Sequence, residues 1–297
     1  MKNLQGIQIV KTLNASISSI IGLLPEIASH HARTSDIYKT LNLSALSLVA
    51  ASDFTCETEE AVDLGCFGQI VFPFTRMGAV STLDLFGLDE LIIFAFYWVN
   101  RDRYRRSADI GANLGLHSIL MGKCGWQVTA YEPDPDHATR LLQNLEFNKS
   151  TTVKLAQSAV SDRSGNLEFV RVLGNTTSSH LAGAKDNAYG ELEKFSVEVE
   201  AIAGIMERVD FIKMDAEGQE KTIILGTETE HWRNTDMILE VGTKENAYAI
   251  YDHLKKIGVR AFAQKLGWAE VMSLDGMPTH YTQGSLFLTQ KSHMFWG

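Results

Sequence analysis

Apolar residues in the first fifty positions recur at intervals of three and four, with Ile7, Val10, Leu13, Ile17, Ile20, Ile21 and Leu24 preceding Pro25. That period predicts helix, and more helix is expected to about Ala51. The pattern then changes: Gln69-Ile70-Val71-Phe72-Pro73-Phe74 alternates and carries a proline, which predicts a strand or hairpin. Asp84 or Asp89 can cap a helix running through Glu90 to about Asn100. Its most apolar run, Leu91 to Val99, has about half the length of a membrane span and reads as a buried helix. Beyond it, strands are predicted at 107–110, 127–131, 153–156, 209–214, 237–241, 259–264 and 285–288, with helices at 114–123, 135–147 and 246–257. Extra strands are predicted at 166–172 and 196–202, flanking a polar loop, Gly174 to His180. Strands alternating with helices of this length imply an α/β fold, a mostly parallel sheet with helices on both faces. Residues 85–297 form the main domain in this reading. Residues 1–84 form a mainly helical extension with a hairpin, expected to serve as a substrate cover or an oligomer contact.

The chemistry gathers where strand 107–110 runs into helix 114–123. Asp109-Ile110-Gly111-Ala112-Asn113-Leu114-Gly115-Leu116-His117-Ser118 turns on two glycines into an apolar helix start. Such a turn offers free N–H groups and a close backbone approach to an anionic part of a ligand. Glu132 stands about 23 residues after Asp109, at the end of the next strand, where an acid catches the ribose of an adenosine cofactor. Asn113 occupies the place where a dinucleotide fingerprint needs glycine, so S-adenosylmethionine fits better than NAD. A second glycine segment, Asp63-Leu64-Gly65-Cys66-Phe67-Gly68, imitates the turn and even has Asp84 downstream. Residues 69–74 after it carry a strand pattern where the cofactor turn requires a helix, so the segment is read as a hairpin whose aromatics cover the pocket.

Three acids, Asp215, Glu217 and Glu220, lie just past strand 209–214, and Glu240 near the end of the next strand. Ligands of open α/β sheets bind beyond the carboxyl ends of the strands, and Asp215 is expected beside the strand that carries Asp109. Glu220 reads equally well as a helix-start acid favoured by the dipole. The histidines are less informative: His30 and His31 read as a solvated pair near a helix end, and His180 as an exposed loop histidine.

The net charge of −9 argues against a nucleic-acid partner despite the local basic run Arg101, Arg103, Arg105 and Arg106. Cys56, Cys66 and Cys124 give neither metal spacing nor a disulfide framework, and with no charged-then-apolar leader the expectation is a cytoplasmic protein without a membrane span.

Taken together, Asp109 to Ser118, Tyr131-Glu132-Pro133, Ala159-Val160-Ser161-Asp162, Ile212-Lys213-Met214-Asp215-Ala216-Glu217-Gly218-Gln219-Glu220 and Leu239-Glu240 resemble the FkbM family of S-adenosylmethionine-dependent methyltransferases. The resemblance covers roughly residues 85 to 290. It implies a Rossmann-like class I methyltransferase sheet of seven strands, mostly parallel with the last antiparallel, and O-methylation of a hydroxyl on a small molecule such as a sugar or natural-product intermediate. Ala216 stands where the family usually has valine, and Ser178-Ser179-His180 looks like its serine-rich loop. The expected cofactor contacts are Asp109, Gly111, Asn113, Gly115, His117, Ser118, Glu132, Pro133, Ser158, Ala159 and Asp215. Asp215, Glu217, Glu240 and His180 are the catalytic candidates, with Asp215 as base or hydroxyl acceptor and His180 as its rival. A Mg²⁺ ion on acids 215, 217 and 240 is kept as an alternative that is not favoured. A homodimer through the N-terminal extension is the candidate assembly. A non-catalytic methyltransferase-fold scaffold and an NAD-linked enzyme are the alternative functions.

Overall fold

The computed structural model describes residues 17–52, 59–78, 80–176, 179–183 and 191–296. Ile7, Val10, Leu13, Cys56 and Ser178 fall outside them. Residues 17–23 are helical, and Pro25 opens a tighter 3₁₀ stretch, Leu24–His30, at a position where its missing N–H is no loss. Helix α1 (Asp36–Ala50) comes next. Strands β1 (Ala61–Asp63) and β2 (Gln69–Val71) then pair antiparallel, with Val62 opposite Ile70. The imitation turn is thus a hairpin, as its alternation predicts. Phe67 and Phe72 pack into the core, where Phe67 meets Trp98 edge-on and Phe72 meets Phe86.

Helix α2 (Leu88–Val99) is apolar on almost every side, and eight of its twelve residues are buried, which makes it a core element. Gly87 is its N-cap in place of either expected aspartate; Asp84 closes a capping box with Ser81 one turn earlier. The main sheet then builds up from β3 (Arg106–Ile110), β4 (Gln127–Tyr131), β5 (Val153–Ala156), β10 (Phe211–Met214), β11 (Asp236–Leu239), β12 (Arg260–Ala263), β13 (Ala269–Glu270) and β14 (Leu286–Thr289). Their order is β5-β4-β3-β10-β11-β14-β12-β13. The first five are parallel, and β14 runs antiparallel between β11 and β12. The seven expected strands and the reversed last one are present. The eighth is the two-residue edge strand β13, too short to leave an alternation signal.

Helices α3 (Leu116–Lys123) and α4 (Pro135–Phe147) join α2 on one face, where their apolar residues share a core with the N-terminal segment. Helices α5 (Ile202–Met206), α6 (Glu220–Leu225) and α7 (Lys244–Ile257) enclose a second core on the other face. Their ends are written locally: Asp134 accepts the Asp136 N–H ahead of Pro135, and Thr243 accepts the Asn246 N–H.

A separate four-stranded sheet, order β6-β9-β7-β8, is formed by β6 (Ala159–Ser161), β7 (Gly165–Val172), β8 (His180–Leu181) and β9 (Leu192–Ala201). The two extra strands predicted are its long members, paired antiparallel over eight residues.

Candidate active site

Strands β3, β4 and β10 end at one rim of the sheet, and the loops leaving them are tied together by backbone hydrogen bonds. Gly111 and Ala112 donate their N–H groups to Tyr131 O, each at 3.0 Å, and the Asp215 N–H reaches Ile110 O at 2.9 Å. Gly111, Asn113 and Gly115 have φ values of 74°, 51° and 86°. This is the left-handed region, which asparagine tolerates better than most side chains. A Cβ on Gly111 would stand 1.8 Å from Asp215 O, and one on Gly115 2.8 Å from Leu141 Cγ. The glycines therefore make room for the protein's own atoms, and Gly111 allows the turn to cross the end of β10 beside Asp215.

Glu132 is buried at the end of β4. Its Oε2 accepts the Asn113 N–H at 2.8 Å and its Oε1 the Asp134 N–H at 2.9 Å. Each oxygen thus holds one backbone donor and retains a further lone pair. Burial pushes the carboxyl up to about 8, against the pull of the Asp134 and Asn113 N–H groups. Half-buried Pro133 links it to Asp134. Ser158 and Ala159 are buried just past β5, and Ser158 borders an open cleft of about 620 Å³ between that strand end and the accessory sheet.

The side chains at the start of α3 face inward. Ser118 Oγ donates to Asp109 Oδ2 at 2.6 Å, and Asp109 is fully buried. His117 Nε2 lies 3.0 Å from Glu90 Oε2 on α2, and its Nδ1 lies 2.8 Å from the Tyr97 hydroxyl. Of the residues expected at the cofactor, these three brace the turn with their side chains. Asp109 Oδ1 and Asn113 Oδ1 are buried oxygens that find no hydrogen-bond partner among the described residues.

Asp215 and Glu240 continue adjacent parallel strands, after the Met214–Leu239 pair. Lys213, two residues before Asp215 and so on the same face, lies 3.9 Å from both the Asp109 and the Asp215 carboxylates. Burial works against the Lys213 charge, yet Asp215 and Asp109 hold it above its ordinary range. Glu240 is driven the other way, well above the usual carboxylate range, by burial and then by Asp215, Glu90 and Asp89. Burial also opposes ionisation of Glu90, but His117 and Lys213 outweigh it and lower its pKa. Glu90, Lys213, Asp215, Glu240 and Ser285 line a recess of about 10 Å³, the size of one water or hydroxyl. Ser285 Oγ, wholly buried there, has no hydrogen-bond partner among the described residues.

Glu217 sits in the loop after β10 with a φ of 47°. Glu220 accepts the N–H groups of Ala216 and Gly218 and holds that loop, which is the helix-start reading. Among the described residues no group of three or more His, Cys, Asp or Glu is arranged to hold a metal ion.

Two histidine expectations are corrected. His180 is buried on β8, paired with Val170 in the accessory sheet, and is not a loop histidine; Asp215 belongs to the rim of the main sheet. His31 is buried as well: its Nδ1 accepts Trp268 Nε1–H at 2.9 Å, which leaves Nε2–H to donate to Leu24 O at 2.9 Å. Only His30 is exposed. Adjacent positions on a helix do send the two rings to different sides, but no local pattern reveals Trp268, 237 residues away.

Sequence reasoning passed over Lys213, Glu90 and Ser285. Lys213 had a signal, a lone cation inside an otherwise apolar strand two residues before Asp215. Glu90 and Ser285 had none, because only packing brings α2 and the segment before β14 to this rim. The N-terminal segment reaches α2 next to Glu90: Arg33 and Tyr38 bind Asp89, whose other oxygen accepts Gln264 Nε2–H.

The model of the methyltransferase FkbM domain matches residues 109–261, from the buried aspartate of the turn into β12. The chain belongs to the FkbM methyltransferase family. It is similar to Methyltransferase sdnD of Sordaria araneosa, 29% identical over an alignment of 157 residues, with 42% of this chain and 61% of that one covered. Methyltransferase 1 of Beauveria bassiana is 23% identical over an alignment of 153 residues, with 44% of this chain and 61% of its own covered. The chain thus spans about three fifths of the length of each relative. A solved structure, cofactor-bound Rv0187 from MTB, aligns over 87% of this chain and 92% of its own, with 12% identity and a TM-score of 0.38.

Proposed function

We propose that the protein is an S-adenosylmethionine-dependent O-methyltransferase acting on a hydroxyl of a small molecule such as a sugar or natural-product intermediate. One observation carries this reading: the turn that abuts Glu132 crosses the backbone of Asp215, so a ribose-type acid and a candidate base share one rim. The residues present fit the cofactor. Glu132 keeps one lone pair on each oxygen for a pair of ribose hydroxyls, and the unpartnered oxygens of Asn113 and Asp109 suit N–H or O–H donors. When bound, S-adenosylmethionine supplies an electrophilic methyl group on a sulfonium.

The rest falls to the chain's own groups. Holding the acceptor oxygen in near-attack geometry is worth up to roughly 7–11 kcal/mol, and a positioned base adds a factor of about 10² to 10⁴. Asp215, nearly half exposed, is the carboxylate reachable from outside, and it holds the acceptor hydroxyl and takes its proton. Glu240, held above the usual carboxylate range beside it, orients the acceptor, and Lys213 balances the charge. Calorimetry with S-adenosylhomocysteine and NADH tests the cofactor half: saturable binding of the first alone supports the reading, and binding of NADH alone overturns it. Transfer of radiolabelled methyl to oxygen in a panel of sugar and polyketide hydroxyl acceptors supports the acceptor half, and label found only on nitrogen or carbon overturns it.

A further inference from the structure

Arg171 lies in the accessory sheet, outside every motif of the candidate site, yet it is nine-tenths buried and reaches the segment just after Glu132 with each of its guanidinium nitrogens. Its Nε donates to Asp134 Oδ2 at 2.8 Å and its Nη2 to Asp134 Oδ1 at 2.6 Å, a two-point fork on a carboxylate that is itself 1% exposed. Nη1 takes Glu193 on the neighbouring strand at 2.8 Å and Asp136 at 3.2 Å. A second tether runs parallel, from His137 Nε2 to Thr176 Oγ1 in the loop after β7. The gripped residue, Asp134, gives its own backbone N–H to Glu132 Oε1.

We infer that Arg171 is a positioning residue for the ribose-binding carboxylate, acting from the accessory sheet through Asp134 onto Glu132. This rests on the proposed cofactor site. A fork is geometrically stricter than a single ionic contact, so it fixes both the direction of the Asp134 carboxylate and the rotation of the peptide that carries its N–H. Without that N–H, Glu132 Oε1 would be buried with one donor fewer and free to rotate away from the two positions that a vicinal diol requires. Removing Arg171 would also leave the buried Asp134 charge with its cap N–H but without its cation beside Glu132, which opposes ionisation of the carboxyl that must accept both hydroxyls. Neither effect touches the homocysteine end of the ligand, which separates this role from general support of the fold.

The test uses the full chain and calorimetry with two probes, S-adenosylhomocysteine and its 2′-deoxy analogue. In the wild type, loss of the 2′-hydroxyl should weaken binding about tenfold or more, the scale of a hydrogen bond to a charged acceptor. In Arg171→Ala, S-adenosylhomocysteine, which gives two hydroxyls to Glu132, should weaken by a similar factor or more, while the 2′-deoxy analogue, which keeps only its 3′-hydroxyl contact, should weaken distinctly less, so that the two probes converge. Arg171→Lys, which keeps a cation and loses the fork, should show the same convergence to a smaller degree and guards against an alanine variant that fails to fold. Equal weakening of both probes, or none, in a folded variant overturns the inference. Glu132→Gln separates it from the reading beneath it: unchanged S-adenosylhomocysteine affinity there removes the cofactor site itself, whereas loss there with no effect at Arg171 overturns only the relay.

Discussion

Glu132→Gln is the substitution whose consequences the structure fixes most closely. Both oxygens of Glu132 accept backbone N–H groups, from Asn113 and Asp134, so either orientation of a glutamine amide sets its NH₂ against one of these donors. A buried donor left facing a donor costs about 1–3 kcal/mol, and the variant should unfold correspondingly earlier in denaturant. The two ribose hydroxyls would also lose a charged acceptor, about 1.5–3 kcal/mol or roughly 10- to 150-fold in affinity for S-adenosylhomocysteine. The pH dependence adds an independent sign. With a folded-state value of about 8 against an ordinary 4.5, the free protein binds the proton more tightly than the unfolded chain. The stability this contributes is full below pH 4.5 and is lost as pH rises through 8, amounting to about 5 kcal/mol at most. Glutamine has no such slope. Cofactor binding, which calls for the ionised acceptor, should tighten in the wild type as pH rises from 6.5 to 9 and should release a proton at the lower pH, measurable by calorimetry in buffers of different ionisation enthalpy. Affinity that is flat with pH together with a Gln variant within twofold of wild type would refute the reasoning.

Asp215→Asn keeps the shape and removes the charge: cofactor affinity should stay within a few-fold while kcat for methyl transfer falls by about 10² or more, and retention of kcat would move the base elsewhere. Gly111→Ala and Gly125→Ala make a matched pair. Both glycines have positive φ, but only at Gly111 would a Cβ meet backbone, 1.8 Å from Asp215 O, with nothing within 4 Å at Gly125. Gly125→Ala should lower stability by about 1–2 kcal/mol, whereas Gly111→Ala should lose more and release the Asp215 loop, and equal melting temperatures would contradict this. His31 is lowered to about 4, chiefly by burial, with His30 adding to the shift and the Leu24 carbonyl opposing it. Its contribution to stability is full above pH 6.5 and is lost as pH falls through 4, about 3 kcal/mol at most. Denaturant midpoints of the wild type and His31→Phe should therefore converge between pH 7 and 4, and a constant gap would show that His31 is not held neutral.

The sequence by itself determined the elements and their kind, because the information is local. Alternation marked β9, a proline and a strand pattern exposed the imitation turn at Asp63 to Gly68, and the cap Asp134 with Pro135 began α4 where predicted. The glycine turn, Glu132 and Asp215 were legible for the same reason, since spacing along a strand, turn and helix fixes which of them reach one rim. Tertiary structure decided what those residues touch. Gly111 proved to be small for the sake of the Asp215 backbone, about a hundred positions on, and His31 became a buried acceptor because Trp268 packs over it. His180 went to the accessory sheet because β8 pairs with β7, a register that no local pattern specifies. Glu90, Ser285 and Arg171 took their surroundings from groups far away in the chain, as Lys213 did from Asp109, and the energy of a buried charge depends on those neighbours in space.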